Sequence, residues 1–262
     1  MQSGEYIVDR RLVRIVRYIC EVNQISLKTF SDDWILELNK GDITRRICGY
    51  KFALNDSAAA TIAQDKVASY EVLHAGGVPA AEHRLIRTKA TKDNWPAIMW
   101  PEGIVLKPLM GTSGHGVRAF NDIAEAKRSL EGSPIEAWAI SPRLNIAREI
   151  RLIMLDGKVL VAYSKHPVEK HGLKMFNLGK GATPELVKPT SAQVLFAVQS
   201  TEVLDLRLAS VDVIELESGE TMVLEVNDGI MMEYFSNTSE EYEHIAYEVY
   251  SSIINVMMTA RL

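Results

Sequence analysis

Apolar residues at positions 12, 15, 16 and 19, with Val8 one turn earlier, recur at helical spacing and predict a first helix over residues 7–20. Arg10, Arg14 and Arg17 fall on the other face of that helix and are expected in solvent. Residues 34–54 read as short strands around a turn at Asn39-Lys40-Gly41-Asp42. Two helices follow, over about 57–64 and 65–75, with Ser57 and Asp65 as N-cap candidates and Gly76-Gly77 as the stop. From 83 to 118 the pattern is short strands broken by Pro and Gly, and Asp122 to Leu130 is helical. Strands are expected at 135–140, 149–155 and 158–165, the last two joined by the hairpin turn Asp156-Gly157. A helix near 191–205 leads to a hairpin of strands 209–216 and 221–227 around Ser218-Gly219-Glu220. A final helix, about 239–260, carries the stripe Tyr242, Ile245, Ala246, Val249, Ile253, Val256 and Met257. Strands joined by hairpins and interleaved with helices favour an α+β fold with antiparallel sheets over a doubly wound parallel sheet.

Composition narrows the possible functions. Among 262 residues, 29 basic and 34 acidic side chains give a net charge of −5, which lacks the basic field that non-specific nucleic-acid binding needs. The apolar stretch Leu12–Val22 is interrupted by Arg14 and Arg17 and is too short to span a bilayer. Two cysteines, Cys20 and Cys48, make neither a disulfide framework nor a zinc site. The expectation is a cytoplasmic protein with reduced thiols, without membrane or nucleic-acid partners.

The sharpest chemical feature is Val105-Leu106-Lys107-Pro108-Leu109-Met110-Gly111-Thr112-Ser113-Gly114-His115-Gly116-Val117. Glycines let backbone approach an anion closely, and successive amides with the Thr112 and Ser113 hydroxyls can surround phosphate oxygens beside the Lys107 charge. It is neither a Walker A loop nor a GxGxxG motif, and a plain glycine-rich turn is the competing reading. A hundred residues later, Asp212 lies on one strand of a hairpin and Glu225 and Asn227 share a face of the next. Two carboxylates and an amide oxygen suit Mg²⁺, or Mn²⁺, coordinated with phosphate and water. Lys66, Glu149-Ile150-Arg151 and the polar loop with Lys174, Asn177 and Lys180 supply further charge.

The order of these pieces resembles the ATP-grasp superfamily, and is most similar to its RimK-type carboxylate–amine ligases, over residues 55 to 235. The resemblance implies two α/β subdomains gripping a nucleotide: a short N-terminal pre-grasp region at 1–58, an ATP-grasp domain at 59–262, and a lid at about 90–138. It assigns Lys66 and Lys107 to the nucleotide, Gly111, Thr112, Ser113, Gly114 and Gly116 to a phosphate-covering loop, and Asp212, Glu225 and Asn227 to the metal. Either Glu136 or Ser141 takes the adenosine side. Arg151, Lys174 and Asn177 are the catalytic candidates, and His115 is read as a spacer. Relatives end the last ligand strand with a Ser-Pro-Gly-type turn, whereas this chain has Asp228-Gly229-Ile230-Met231-Met232-Glu233-Tyr234. Met231, Met232 and Tyr234 are read either as an acceptor pocket or as core.

The implied chemistry is ATP-dependent amide formation through an acyl phosphate, joining a small-molecule or peptide carboxylate to an amine. The resemblance is also compatible with a homodimer. An ATP-grasp small-molecule kinase and a non-catalytic ATP-binding regulator are the alternatives.

Overall fold

The computed structural model describes residues 7, 9–88, 95, 100–111, 114–170 and 173–259. Helix α1 (Arg11–Val22) is followed by the meander β1 (Ser26–Phe30), β2 (Ile35–Lys40), β3 (Ile43–Cys48) and β4 (Lys51–Phe52). Helices α2 (Ser57–Gln64) and α3 (Lys66–Ala75) lead into β5 (Arg84–Arg87), β6 (Ile104–Pro108), β7 (Arg118–Phe120), α4 (Ile123–Ser129) and β8 (Ala137–Pro142). Next come β9 (Ile146–Leu155), β10 (Lys158–His166), the hairpin β11 (Val168–Lys170) and β12 (Leu173–Met175), a 3₁₀ turn at Leu178–Lys180, and β13 (Thr183–Leu186). Helix α5 (Ser191–Val203), strands β14 (Leu208–Leu216) and β15 (Thr221–Asn227), and helices α6 (Glu233–Ser236) and α7 (Glu240–Thr259) complete the chain.

The central sheet has the order β13-β10-β9-β14-β15, and every neighbouring pair in it is antiparallel. The smaller sheet, β5-β8-β6-β7, is antiparallel too. The expected hairpin-rich α+β architecture is therefore the observed one.

Alternation along β9 explains the layering. Ile150, Leu152 and Met154 face α2, α3 and α5 in one core. Ile153 and Leu155 face the other way, into a core shared with α1, α7 and the N-terminal meander. Glu149 and Arg151 belong to this second set by period, so the face that is apolar at one end of β9 is charged at the other. The small sheet keeps a core of its own, in which Trp138 is fully buried with Ile86, Leu106, Ile140 and Ala126 of α4.

Three local expectations change. The first helix starts at Arg11, and Val8 lies outside the described residues. Arg10 is not solvated but 4% exposed: its guanidinium lies 5.0 Å from the Trp34 ring and 5.3 Å from the Tyr50 ring, and donates to the carbonyls of Gly49 and Asp33. Five N–H donors on a flat cation let it satisfy carbonyls at its edge while rings cover its faces. The N-cap of α2 is Asp56, not Ser57, because the Asp56 carboxylate accepts from the Ala58 amide at 2.8 Å. At α1 the capping carboxylate comes from far along the chain: Glu233 accepts from the amides of Arg11 (2.7 Å) and Leu12 (3.1 Å).

Candidate active site

Cross-strand register assembles the charged cluster. Asp212 on β14 lies opposite Arg151 on β9 and Glu225 on β15, while Lys165 on β10 lies opposite Glu149 on β9. A bulge follows Asp212, so the β15 residue opposite the next position is Val223 rather than Leu224. The Arg151 guanidinium donates to both Asp212 oxygens, Nε to Oδ1 at 2.7 Å and Nη2 to Oδ2 at 2.5 Å. Lys165 Nζ donates to Asp212 Oδ1 at 2.8 Å and to Glu149 Oε1 at 2.5 Å. Burial pushes the Asp212 carboxyl up, but Arg151 and Lys165 outweigh it and hold it down at about 2. Burial raises the Glu149 carboxyl, opposed by Lys165 and reinforced by Asp212.

Lys107 stands at the end of β6. Burial lowers its ammonium below the ordinary lysine range, Glu225 works against that, and Lys66 adds to it. Its Nζ lies 3.3 Å from Nε2 of His83, a buried imidazole that burial first and Lys107 second bring down to about 3. The His83 ring is thus neutral, with Nδ1 2.9 Å from the Ala81 carbonyl. Lys66, the first residue of α3, donates from Nζ to the Gly111 carbonyl at 2.9 Å. Asp65, capping that helix on the amides of Val67 and Ala68, also forms a β-bridge with Met110. The two lysines and the glycine segment therefore meet at one point. Gly114 and Gly116 have φ of +67° and +72°, the left-handed region glycine tolerates, and a Cβ on Gly116 would stand 2.8 Å from Pro108 Cγ. Thr112 and Ser113 lie outside the described residues.

A cleft of about 1640 Å³ joins these groups, lined by Lys107, Gly111, Gly114, Gly116, Ser141, Arg151, Lys174, Asn177, Asp212, Glu225 and Asn227 among others. Ile135, Ala137 and Ser141 line it as a period-two set, which passes over Glu136, so the candidate hinge residue on the cleft wall is Ser141. Lys66 lines a smaller adjoining pocket with His83, Lys107 and Glu225. Lys174 pairs with Glu217 at 3.1 Å, and Asn177 starts the 3₁₀ turn whose Gly179 packs against the Tyr234 ring. Met231 lines the cleft, whereas Met232 is core.

A family model for the RimK-like ATP-grasp domain matches residues 63–253. The chain belongs to the RimK-like ATP-grasp family. Relatives of this RimK-like chain include the probable alpha-L-glutamate ligases of Thioalkalivibrio sulfidiphilus, 30% identical over 186 residues, and Halorhodospira halophila, 27% identical over 182. Each alignment covers 67% of this chain and 59% of the relative, so the chain spans about three fifths of the length of these relatives. Among solved structures, D-alanine–D-alanine ligase from Bacillus anthracis complexed with ATP superposes with a TM-score of 0.58 at 17% identity, over 78% of this chain and 70% of that one. D-cycloserine synthetase DcsG gives 0.55 at 20% identity, over 74% and 71%. The ATP-grasp fold expected from the sequence is thus the observed one.

Sequence reasoning missed Lys165, His83 and the pair Lys51–Asp228 (2.9 Å). Lys165 carried a usable signal: a lysine two residues from Tyr163, on the face of a strand whose other residues are apolar. His83 and Lys51 carried none, since both become part of the site only through contacts made across the fold.

The oxygen donors bear on a divalent cation as follows. Glu225 and Asn227 share a face of β15 and offer hard oxygens at the cleft, the chemistry Mg²⁺ takes. Asp212 stands beside them with both oxygens already engaged by cations. Among the described residues no group of three or more His, Cys, Asp and Glu is placed to hold a metal by itself. The set fits an ion that completes its shell from a bound phosphate.

Proposed function

We propose that this chain is an ATP-dependent carboxylate–amine ligase, forming an amide through an acyl phosphate, with an amino acid or peptide as substrate. The observation that carries the reading is the single cleft on which the Lys107–glycine segment and the Arg151, Lys165, Asp212 and Glu225 cluster both open. Lys66 and Lys107 hold the triphosphate, and the segment Gly111–Gly116 covers it and keeps water from the acyl phosphate. Ser141 meets the adenosine side, with Glu136 the alternative. The substrate carboxylate attacks the γ-phosphorus, ADP leaves, and the amine then displaces phosphate. Arg151 stabilises the charge on the transferring phosphoryl group, held at a fixed angle by the two-point grip on Asp212. Lys174 and Asn177 line the part of the cleft where the second substrate enters. Glu225 and Asn227, with Asp212, would hold Mg²⁺, which neutralises phosphate charge when bound.

No helix among the described residues is long and apolar enough to cross a membrane, and an ATP-fuelled ligase with free cysteines suits a cytoplasmic setting. The test is ADP release over pairs of amino acids and peptides, with mass spectrometry of the products. Release that requires both a carboxylate and an amine supports the ligase. Release with one substrate and a stable phosphorylated product makes the protein a kinase.

A further inference from the structure

His83 is 4% exposed and lies where the chain passes from the central sheet to the small one. The segment before it is tied to β15: the Val223 amide donates to the Pro79 carbonyl and the Ala81 amide to the Val223 carbonyl, both at 2.8 Å. The residue after it, Arg84, opens β5 of the small sheet. The imidazole spans the two sides. Its Nδ1 is 2.9 Å from the Ala81 carbonyl, and its Nε2 is 3.3 Å from Nζ of Lys107 on β6.

These two contacts fix the chemistry of the ring. A carbonyl only accepts, so Nδ1 carries the proton and donates to Ala81. Nε2 is left with a lone pair, to which the Lys107 ammonium donates. A doubly protonated ring would turn an N–H towards the ammonium, so the contact belongs to the neutral form, in keeping with the burial that brings this imidazole down to about 3. Lys107 therefore rests on a neutral acceptor that leaves its charge intact. Arg151 and Lys165 differ in this respect, since each is paired with a carboxylate.

The imidazole stands behind the lysine. His83 lines a cavity of about 20 Å³ with Lys66, Tyr70 and Glu225, room for a water molecule but not for a phosphate group. Lys107 lines both this cavity and the large cleft. An effect of His83 on a phosphate in the cleft thus passes through Lys107. A lysine's flexible stem loses rotamer freedom when a ligand fixes its head. An ammonium already seated on an acceptor has lost part of that freedom beforehand, which favours binding.

We propose that His83 is a positioning residue for ATP binding: its bare Nε2 holds the Lys107 ammonium at a set place relative to β15 and leaves the other N–H groups of that ammonium to the triphosphate. The inference rests on the ATP reading of the cleft and adds a residue that this reading leaves unused.

The test is calorimetric titration of the full chain with the non-hydrolysable ATP analogue AMP-PNP and Mg²⁺. His83→Phe keeps a ring in the space and removes the lone pair. His83→Gln gives up the ring but brings its Oε1 to the place of Nε2. The dissociation constant is expected to rise about tenfold or more in His83→Phe, the scale of losing one hydrogen bond to a charged group, and to stay within about threefold of wild type in His83→Gln. A merely space-filling role reverses that order, because Phe fills the site better than Gln. The reversed order, or equal constants in the two variants, overturns the proposal. Urea midpoints without nucleotide check that both variants fold; if His83→Phe does not, His83→Met, apolar and adaptable in shape, takes its place under the same expectation. The titration needs no turnover. The expected order without an amide product from any substrate pair supports the role of His83 and removes the ligase reading instead. A wild-type protein that does not bind the analogue overturns both.

Discussion

The Arg151 guanidinium grips Asp212 at two points, 2.7 and 2.5 Å, while Lys165 holds the first of those oxygens from another strand at 2.8 Å. One carboxylate thus orders two cations on the floor of the cleft. Asp212→Asn leaves the buried Lys165 and the half-buried Arg151 with only Glu149 to compensate. Removing one partner of a buried pair costs about 3–5 kcal/mol. Asp212→Asn is expected to lower the urea midpoint strongly as well as activity, so loss of turnover in this variant reports on the cluster, not on a metal alone.

Glu225→Gln is the cleaner test of metal binding. Glu225 neighbours Lys107 without being locked into the buried cluster. Its stability is expected to stay within about 1 kcal/mol of wild type, as for substitutions away from buried networks. Mg²⁺-dependent ADP release should fall by roughly a hundredfold, the scale of losing one preorganised electrostatic contact. A magnesium titration of ADP release with unchanged amplitude and midpoint would remove Glu225 from the metal assignment.

The glycine segment separates strain from crowding. Among the described residues, a Cβ on Gly114 would meet nothing within 4 Å, whereas one on Gly116 would stand 2.8 Å from Pro108 Cγ, and both glycines have positive φ. Gly114→Ala therefore carries the backbone cost alone, about 1 kcal/mol. Gly116→Ala carries that cost and displaces the residue next to Lys107. Gly116→Ala is expected to raise the KM for ATP more than Gly114→Ala does. Equal KM values in steady-state ADP assays would show that the segment moves independently of Pro108.

His83 gives the chain a pH dependence of known sign. Burial and Lys107 bring the folded imidazole to about 3, against an ordinary value of 6.5. Between those values the unfolded chain takes up a proton that the native state refuses, so stability falls as the pH drops from 6.5 towards 3. The slope from one such group approaches ~1.4 kcal/mol per pH unit. His83→Gln is expected to flatten the urea midpoint against pH between 4 and 6.5. The Asp212 contribution lies lower, between its ordinary 3.8 and about 2, and does not obscure this window.

Most of the scaffold was legible because its signals are local. The turn Asp156-Gly157 fixes the β9–β10 hairpin, the stripe on α7 fixes its buried face, and Asp65 caps α3 as its position before Lys66 indicates. The sequence also singles out Lys107 on the small sheet and Arg151, Asp212, Glu225 and Asn227 on the central one, and these residues line one cleft; strand period and hairpin pairing account for the central-sheet set alone. Their pairing was not found. Nothing local indicates that Lys165 from a third strand reaches Asp212, or that the bulge after Asp212 shifts β15. Arg10 was misplaced for the same reason: it precedes α1 instead of lying on its solvent face, and the rings that cover it come from the β1–β2 connection and the β3–β4 turn.

Half-buried Arg151 and the buried Lys165, Glu149 and Asp212 sum to no net charge. Each cation therefore has an internal counterion before any nucleotide arrives. Phosphate oxygens entering the cleft compete with these carboxylates for protons already ordered and desolvated, so recognition is an exchange of partners, and an emptied cleft keeps its shape by taking the old partners back.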